Sequence, residues 1–261
     1  MVLTKYGKSI KNKQVSKMQI HAKNVVFDYG NTILLDPFEE IASNISGEVA
    51  NLLRKNGYDV KEKEVVDNWV ESNKTVNGPH YSHFSQEEPI IQDFLRRINV
   101  KPEDSNFLAP EILLIYRREF REFILRNDYT KTKETLGYLK NKDKKLFVWS
   151  NDREYGVKSV MKWMGLDSYF DKIISSEEIG VEKPGTEFFR KCLDMCDISV
   201  ENSIYVGDDP GRDILPAGEV GLKTILYKTE EHKPTSWRRY NTQAKPDAVV
   251  KKISDLKEVI V

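Results

Sequence analysis

Short apolar runs alternate with helical periodicity over most of the chain. The runs are four or five residues long and rich in branched and aromatic side chains, which is typical of buried strands in a parallel sheet. Between them, apolar residues recur three and four positions apart, which predicts amphipathic helices. The predicted strands are residues 24–27, 145–149, 172–175, 203–206 and 223–226, and the predicted helices are residues 131–142, 154–164, 186–196 and 212–219. A last segment, residues 246–260, predicts one more short strand and a closing helix.

A long helical stretch interrupts this alternation directly after the first strand. It follows Asp36-Pro37, a dipeptide that favours a boundary. Helical periodicity dominates until about Asp128, with a non-helical segment from Asn77 to Pro89. The four helices predicted in this stretch are residues 38–57, 61–73, 88–98 and 108–126.

The order of these elements predicts the organisation of the chain. Strands that alternate with helices indicate an α/β fold, a doubly wound parallel sheet with right-handed crossovers. We expect this core to comprise residues 23–36 and 129–261. Residues 37–128 would then be an all-helical domain inserted into it.

Composition and charge narrow the classes of function. The 261 residues include 41 basic and 41 acidic side chains, so the formal net charge is zero. We therefore expect neither nucleic acid nor a membrane as a partner, and a small acidic ligand would need a local positive site. No apolar run approaches the roughly 20 residues of a membrane span, and the first 23 residues lack the apolar centre of a secretory signal. Those 23 residues carry six lysines and no acid, and residues 1–22 are expected to form a basic tail.

Cys192 and Cys196 are the two cysteines of the chain. They lie four positions apart in a predicted helix, a spacing that usually leaves them too far apart for a disulfide. Two cysteines alone do not complete a structural zinc site. Reduced, packed thiols fit a reducing compartment, so we expect a cytoplasmic protein.

Polar residues follow the predicted strands where those strands end. Asp28 ends the first strand within FDYGNT, and Ser150 and Asn151 follow the strand at 145–149. The segment GDDPGRD, with Asp208, Asp209 and Asp213, follows the strand at 203–206, and Lys183 lies in the loop VEKPG. In doubly wound folds, ligands bind at the carboxyl ends of the strands. These side chains are therefore expected to meet in one crevice.

The order of these four signals resembles the haloacid dehalogenase-like superfamily. Members carry an aspartate nucleophile after the first strand, then a serine or threonine, then a lysine, then paired acids in a segment like GDDPGRD. The resemblance runs from residue 24 to about residue 250. It implies a Rossmann-like core, and the helical insertion at 37–128 resembles the cap domain of one subfamily.

The resemblance implies a magnesium-dependent phosphatase that acts on a small phosphorylated metabolite. Asp28 would attack phosphorus and form an aspartyl-phosphate, while Ser150 and Lys183 would contact the phosphoryl group. The Asp28 carboxylate, the Gly30 carbonyl and Asp208 would bind Mg²⁺. Asp209 and Asp213 would be further ligands through water, or acids that support the ligands without binding the metal. The backbone amides of Tyr29, Gly30, Asn31 and Asn151 would complete a phosphate cradle.

Gly30 departs from the pattern of this superfamily. Its phosphatases usually carry a second aspartate two residues after the nucleophile, and that side chain protonates the leaving group. Such general acid catalysis contributes about 10²–10⁴-fold. Asp36 is the first candidate for a surrogate acid, and His80 and His83 are others. Alternatively, the substrate has a leaving group that needs no acid.

Other functions stay open at this point. The same resemblance includes haloacid dehalogenases and phosphonate hydrolases, which also lack the second aspartate, and phosphomutases, which share the core residues. The acidic segment with Asp208, Asp209 and Asp213 argues against a metal-free dehalogenase. A catalytically weak binding protein is the alternative from a different class.

The non-helical segment of the insertion is the predicted source of substrate specificity. Caps of this type close over the crevice and exclude water. The segment GPHYSHFS offers several groups that can contact a ligand, and an exposed surface loop is the alternative interpretation. The specificity candidates are His80, Tyr81, His83 and Phe84.

Overall fold

The computed structural model describes residues 19–77, 87–152, 154–229 and 243–261. Its strands are β1 (Asn24–Phe27), β2 (Lys145–Ser150), β3 (Lys172–Ser175), β4 (Ser203–Gly207), β5 (Lys223–Tyr227) and β6 (Ala248–Val250). They form one parallel sheet in the order β3-β2-β1-β4-β5-β6. The predicted α/β fold with a parallel sheet is confirmed.

β1 lies inside the sheet, between β2 and β4. Val26 is in register with Phe147 of β2 and Tyr205 of β4. Successive side chains of a strand point to opposite faces, and accordingly Val25 and Val26 belong to two different hydrophobic clusters. All four residues of β1 are buried, which explains why this run is apolar throughout.

Helices cover both faces of the sheet. Within the described ranges they are α1 (Phe38–Lys55), α2 (Glu62–Asn77), α3 (Glu87–Arg97), α4 (Pro102–Arg126), α5 (Thr130–Lys140), α6 (Glu154–Met164), α7 (Ser176–Ile179), α8 (Thr186–Cys196), α9 (Leu215–Glu219) and α10 (Leu256–Val259). α5, α6 and α10 share a hydrophobic cluster with Val25, whereas α8 and α9 share one with Val26. The sheet is therefore doubly wound, as predicted.

The helices α1 to α4, which we call the four-helix unit, lie between β1 and α5 in the chain. Their apolar faces meet in a third hydrophobic cluster. Trp69 is fully buried there and stacks on Phe94 with ring centroids 5.4 Å apart. The rings of Phe38 and Tyr116 also pack against Trp69. None of the described helices combines the length and the apolar character that crossing a membrane requires.

α4 begins six residues earlier than the periodicity predicts. Pro102 occupies its first turn. A proline is favoured there because backbone N–H groups of the first turn have no acceptor within the helix, so the missing N–H costs no hydrogen bond. Pro110 lies inside the helix. Ile112 belongs to the cluster of the four-helix unit and Ile124 to a cluster of the sheet. This one helix therefore joins the two hydrophobic regions.

The sequence placed two core residues in the basic tail, and the structure corrects this. Ile20 and Ala22 are buried in a sheet-side cluster. The backbone N–H of Ile20 donates to the carbonyl of Val259 at 2.7 Å, and Ile20 forms a bridge with Ile260. Two isolated apolar residues among lysines give no periodic signal. The predicted tail, residues 1–22, therefore extended into the core.

Two predicted helices near the end of the core differ from the prediction. The predicted helix 212–219 is a π-helical turn, Pro210–Ile214, followed by α9. The predicted closing helix is reduced to a 3-10 turn, Ile253–Asp255, and the four residues of α10. The side chain of Asp209 accepts from the N–H groups of Gly211 and Arg212, and these bonds account for the first difference.

Candidate active site

The carboxyl end of β1 holds Asp28 in a fixed place. The backbone N–H of Asp28 donates to the carbonyl of Val206 at 2.8 Å, so the ladder with β4 continues to this residue. The chain then turns through Asn31, which has a left-handed φ of 58°. This turn brings the hydroxyl of Thr32 back to Asp28, where it donates to Oδ2 at 3.2 Å. Asp28 is 6% exposed.

The end of β2 positions the loop that carries Lys183. Ser150 is buried at the end of that strand. The side chain of the next residue, Asn151, pairs with the backbone of Lys183 in both directions. Its Nδ2 donates to the carbonyl and its Oδ1 accepts from the N–H, each at 2.8 Å. Asn151 thus uses one amide N–H and its carbonyl oxygen to hold this loop at the carboxyl edge of the sheet.

Lys183 is the buried positive charge of the site. Its Nζ donates to Oδ1 of Asp28 at 2.5 Å and to Oδ1 of Asp213 at 2.7 Å. The residue is 4% exposed. Burial by itself lowers the pKa of an ammonium, but the two carboxylates outweigh this and raise the pKa of Lys183 above its usual value. Lys183 therefore places a positive charge between two carboxyl groups.

The loop after β4 supplies the acidic residues. Gly207 ends the strand, and a Cβ at this position would lie 2.6 Å from Cβ of Asp213. The missing side chain lets Asp213 approach the backbone closely. Oδ2 of Asp213 accepts from the N–H of Asp209 at 3.1 Å, and Oδ1 accepts from Lys183. Both oxygens of Asp213 are thus held.

Asp28, Asp208 and Asp213 form a buried carboxylate cluster. One oxygen from each lies within 4.8 Å of the others. Burial raises the pKa of Asp28 to about 6, and the charge of Lys183 opposes this rise. The cluster contains three acids and one lysine, and all four side chains are buried. Such a site favours a bound cation.

Asp209, predicted as a metal ligand, does not belong to this cluster. Its Oδ1 accepts from the N–H groups of Gly211 and Arg212, at 2.8 and 3.0 Å, and its Oδ2 lies 3.4 Å from Nε of Arg212. Asp209 therefore caps the π-helical turn. The sequence did not distinguish this role because both acids of the pair follow the strand directly.

The remaining predicted residues lie in different surroundings. Tyr29 and Gly30 begin the turn after Asp28, and Tyr29 is buried while Gly30 is exposed. Asp36 is exposed, and its Oδ1 accepts from the N–H of Phe38 at the start of α1. The specificity candidates lie outside the described residues; they are His80, Tyr81, His83 and Phe84.

Three residues of the site were not singled out from the sequence. Thr32 holds Asp28, and Gly207 makes room for Asp213. The hydroxyl of Tyr205 lies within hydrogen-bonding distance of Lys183 and Asp213. Thr32 lies in FDYGNT and Gly207 in GDDPGRD, so their positions in these motifs could have indicated a role in the site. Tyr205 lies in the apolar run of β4 and resembles an ordinary core residue.

Comparison with known proteins identifies the class to which this site belongs. The family model of haloacid dehalogenase-like hydrolases matches residues 80–227. This match spans more than half of the chain and includes β2, Lys183 and the acidic loop after β4. The chain is a member of the haloacid dehalogenase-like hydrolase family.

Curated relatives refine this picture. A "Glyceraldehyde 3-phosphate phosphatase" of Methanocaldococcus jannaschii is 29% identical over 52% of this chain and 58% of its own length. A protein of the same name from Methanothermobacter thermautotrophicus is 32% identical over 42% of this chain and 48% of its own. The chain thus matches about half the length of these relatives. A third, from Methanopyrus kandleri, is 25% identical over 91% of this chain and 97% of its own length.

Solved structures share the fold over nearly the whole chain. A phosphatase of this family from Thermococcus onnurineus is 20% identical, with a TM-score of 0.62 over 91% of this chain and 97% of its own. A 2-haloacid dehalogenase from Pseudomonas syringae is equally distant, with 20% identity and a TM-score of 0.61 over the same shares. Because both chemistries appear among these neighbours, the fold alone does not choose between them.

Proposed function

We propose that this chain is a magnesium-dependent phosphatase that hydrolyses a small phosphorylated metabolite with Asp28 as the nucleophile. One observation carries the proposal: Lys183 joins Asp28 to Asp213 inside a buried cluster of three carboxylates. The names of the curated relatives, which are phosphatases of sugar phosphates, support the same reaction class. A dehalogenase that works without a metal has no metal cation to compensate three buried carboxylates, so this cluster favours the phosphatase.

Asp28 is suited to nucleophilic attack by its position and its partners. Its two oxygens are held separately, Oδ1 by Lys183 and Oδ2 by Thr32. In the proposed reaction one oxygen attacks phosphorus, the bond from phosphorus to the leaving oxygen breaks, and an aspartyl-phosphate forms. Water then attacks phosphorus, releases phosphate and restores the carboxylate. Dividing the reaction in this way replaces one difficult step by two easier ones.

The residues present fit Mg²⁺. This hard cation prefers oxygen ligands, and Asp28 and Asp208 offer them in the buried cluster. The carbonyl of Gly30 is proposed as a further ligand. Asp213 has both oxygens engaged, so we propose that it stays beside the ligands. We propose no metal-binding role for Asp209, because it caps the turn. When bound, Mg²⁺ would offset the repulsion between the acids and the phosphoryl group.

Neutral donors would hold the phosphoryl oxygens. Ser150 is buried at the neighbouring strand end, and its hydroxyl is proposed to donate to one of them. The backbone N–H groups of Tyr29, Gly30 and Asn151 are proposed to complete the cradle, since successive amides in a tight turn form an anion-binding concavity. The N–H of Asn31 was also predicted to join this cradle, but it donates to the carbonyl of Leu34 at 2.6 Å. Asn31 instead contributes its left-handed conformation, which shapes that turn.

The position that usually holds the acid for the leaving group is occupied by glycine. Gly30 offers no side chain, and the carboxylate of Asp36 accepts from the backbone at the start of α1. We therefore favour a leaving group that departs without a proton from Asp36. The surrogate acids His80 and His83 stay a second hypothesis. The four-helix unit, with the segment that carries them, is proposed to be the cap that selects the substrate.

Hydrolysis of p-nitrophenyl phosphate tests the proposal. This ester has a stabilised leaving group, so the absence of an acid at Gly30 does not limit the assay. The wild-type chain and Asp28→Asn are compared with and without Mg²⁺. Asp67→Asn in α2 is the matched control, because Asp67 is an exposed partner of Lys63. We expect activity that requires Mg²⁺, survives in Asp67→Asn, and falls by at least about 10³-fold in Asp28→Asn.

Two results would contradict the proposal. A folded wild-type chain with no activity on this ester, or on glyceraldehyde 3-phosphate, would exclude a general phosphatase. Activity that persists in Asp28→Asn would show that another group attacks phosphorus. In the first case 2-haloacids and phosphonates are the next substrates to assay.

A further inference from the structure

Tyr205 places a buried hydroxyl beneath the charged groups of the site. It lies in the middle of β4 and is fully buried. Its oxygen is 3.1 Å from Nζ of Lys183 and 3.2 Å from Oδ1 of Asp213. Its ring packs against Phe189 and Trp149, with centroids 5.2 and 6.0 Å away. Phenylalanine would satisfy this aromatic packing equally well, so the hydroxyl needs a separate explanation.

The hydroxyl of Tyr205 completes the hydrogen bonds of the Lys183 ammonium. A lysine ammonium has three N–H groups, and Nζ of Lys183 has three acceptors: Asp28, Asp213 and Tyr205. The phenol accepts from the ammonium and donates its own proton to Oδ1 of Asp213. Lys183, Asp213 and Tyr205 thus form a closed triangle of hydrogen bonds, and each buried polar atom in it has a partner.

We propose that Tyr205 is a positioning residue, and that its hydroxyl fixes Lys183 and Asp213 so that the ammonium stays on Asp28. This inference rests on the proposed function of Asp28. Two carboxylates alone would leave the third N–H of the buried ammonium without an acceptor. The phenol is the third contact, so all three N–H groups are held and Nζ has one preferred position. A nucleophile in one orientation reacts faster because less alignment remains to be achieved.

Tyr205→Phe removes the hydroxyl and keeps the ring. Steady-state hydrolysis of p-nitrophenyl phosphate at saturating Mg²⁺ would give kcat and KM. We expect kcat to fall about 10-fold to 100-fold, the effect of one hydrogen bond to a charged group, with KM within about twofold. Tyr138→Phe is the control, since it removes a hydroxyl from α5, away from the site. A kcat within twofold of wild type in Tyr205→Phe would overturn the inference.

A double-mutant cycle excludes a purely structural role. If Tyr205 acts through Asp213 and Lys183, then Tyr205→Phe has little further effect on kcat, less than about twofold, in an Asp213→Asn background. Equal fold losses in both backgrounds would mean that Tyr205 only supports the core, and would overturn the inference.

A spectroscopic measurement separates this inference from the proposed function. The ammonium of Lys183, detected by ¹⁵N NMR at low temperature, is expected to exchange slowly with water in the wild type. In Tyr205→Phe we expect its exchange to accelerate and its signal to broaden beyond detection. This result together with an inactive wild type would overturn the proposed phosphatase and keep Tyr205 as a positioning residue. An unchanged signal in Tyr205→Phe would overturn the positioning role.

Discussion

The carboxyl edge of the sheet and the four-helix unit use charged residues in opposite ways. At the edge, Asp28, Lys183 and Asp213 are buried and bonded to one another. In the four-helix unit, pairs such as Lys63 with Asp67 are exposed. Breaking a buried ion pair leaves an unpaired charge away from water, whereas an exposed charge returns to solvent. The same residue types are therefore replaceable in one region and required in the other.

Removal of one lysine from each region tests this comparison with the largest expected effect. Lys183→Met leaves Asp28 and Asp213 without their cation, and we expect the free energy of unfolding to fall by about 3–5 kcal/mol. Lys63→Met is expected to change it by less than about 1 kcal/mol. Urea unfolding at pH 7 measures both. Similar values for the two variants would contradict the comparison, and Lys183→Met is also expected to be inactive.

Gly30 lies at this edge, directly after Asp28 and Tyr29, and has open space beside it. A Cβ added there meets nothing within 4 Å. We expect Gly30→Asp to fold normally and to raise hydrolysis of alkyl phosphates by about 10²-fold, because it supplies the proton that their leaving groups need. Gly30→Asn is the control, since it adds a similar side chain without the acid. Equal rates for the two variants would show that the missing acid does not limit the reaction.

Glycine-to-alanine changes compare the packing of the two regions. At Gly207 the new methyl group collides with Asp213, so we expect a loss of about 1–3 kcal/mol in stability and a lower kcat. At Gly47 in α1 the nearest atom is Oε1 of Glu62, 3.3 Å away on a flexible side chain. There alanine is expected to raise the free energy of unfolding by up to about 1 kcal/mol, because its helix propensity is higher than that of glycine. Thermal unfolding measures both, and destabilisation at Gly47 would contradict the expectation.

The ion pair of Arg118 with Glu48 gives the smallest expected effect. Both side chains are about half exposed. A double-mutant cycle with alanine at each position is expected to give a coupling energy below about 0.5 kcal/mol, reduced further by salt. A coupling above about 2 kcal/mol would mean that the four-helix unit also depends on specific charges.

The sheet was predictable because its signals are local. The runs that form β1 and β4 are apolar and end in polar residues, and a strand of this kind needs no distant information to be recognised. The convergence of Asp28, Lys183 and Asp213 followed from one rule about the carboxyl ends of parallel strands. Their contacts in the structure agree with that expectation.

The features that the sequence did not predict depend on contacts that local patterns do not encode. Ile20 is in the core because it pairs with Ile260, and no local pattern encodes this. Asp209 and Asp208 are adjacent and chemically identical, yet only one joins the carboxylate cluster. The difference arises from the backbone N–H groups that Asp209 caps. Tyr205 was missed because the role of a buried hydroxyl is visible only when its partners are known.

The central place of β1 also has a consequence for how the chain is made. Asn24 of β1 contacts Ser203 of β4 across 179 residues of sequence. At roughly 5–20 residues per second, a ribosome takes about 10–35 seconds to synthesise that interval. The four-helix unit ends at Arg126, so all of its helices are synthesised before β4. We therefore expect the inserted helices to fold first and the strand that carries Asp28 to find its neighbours last.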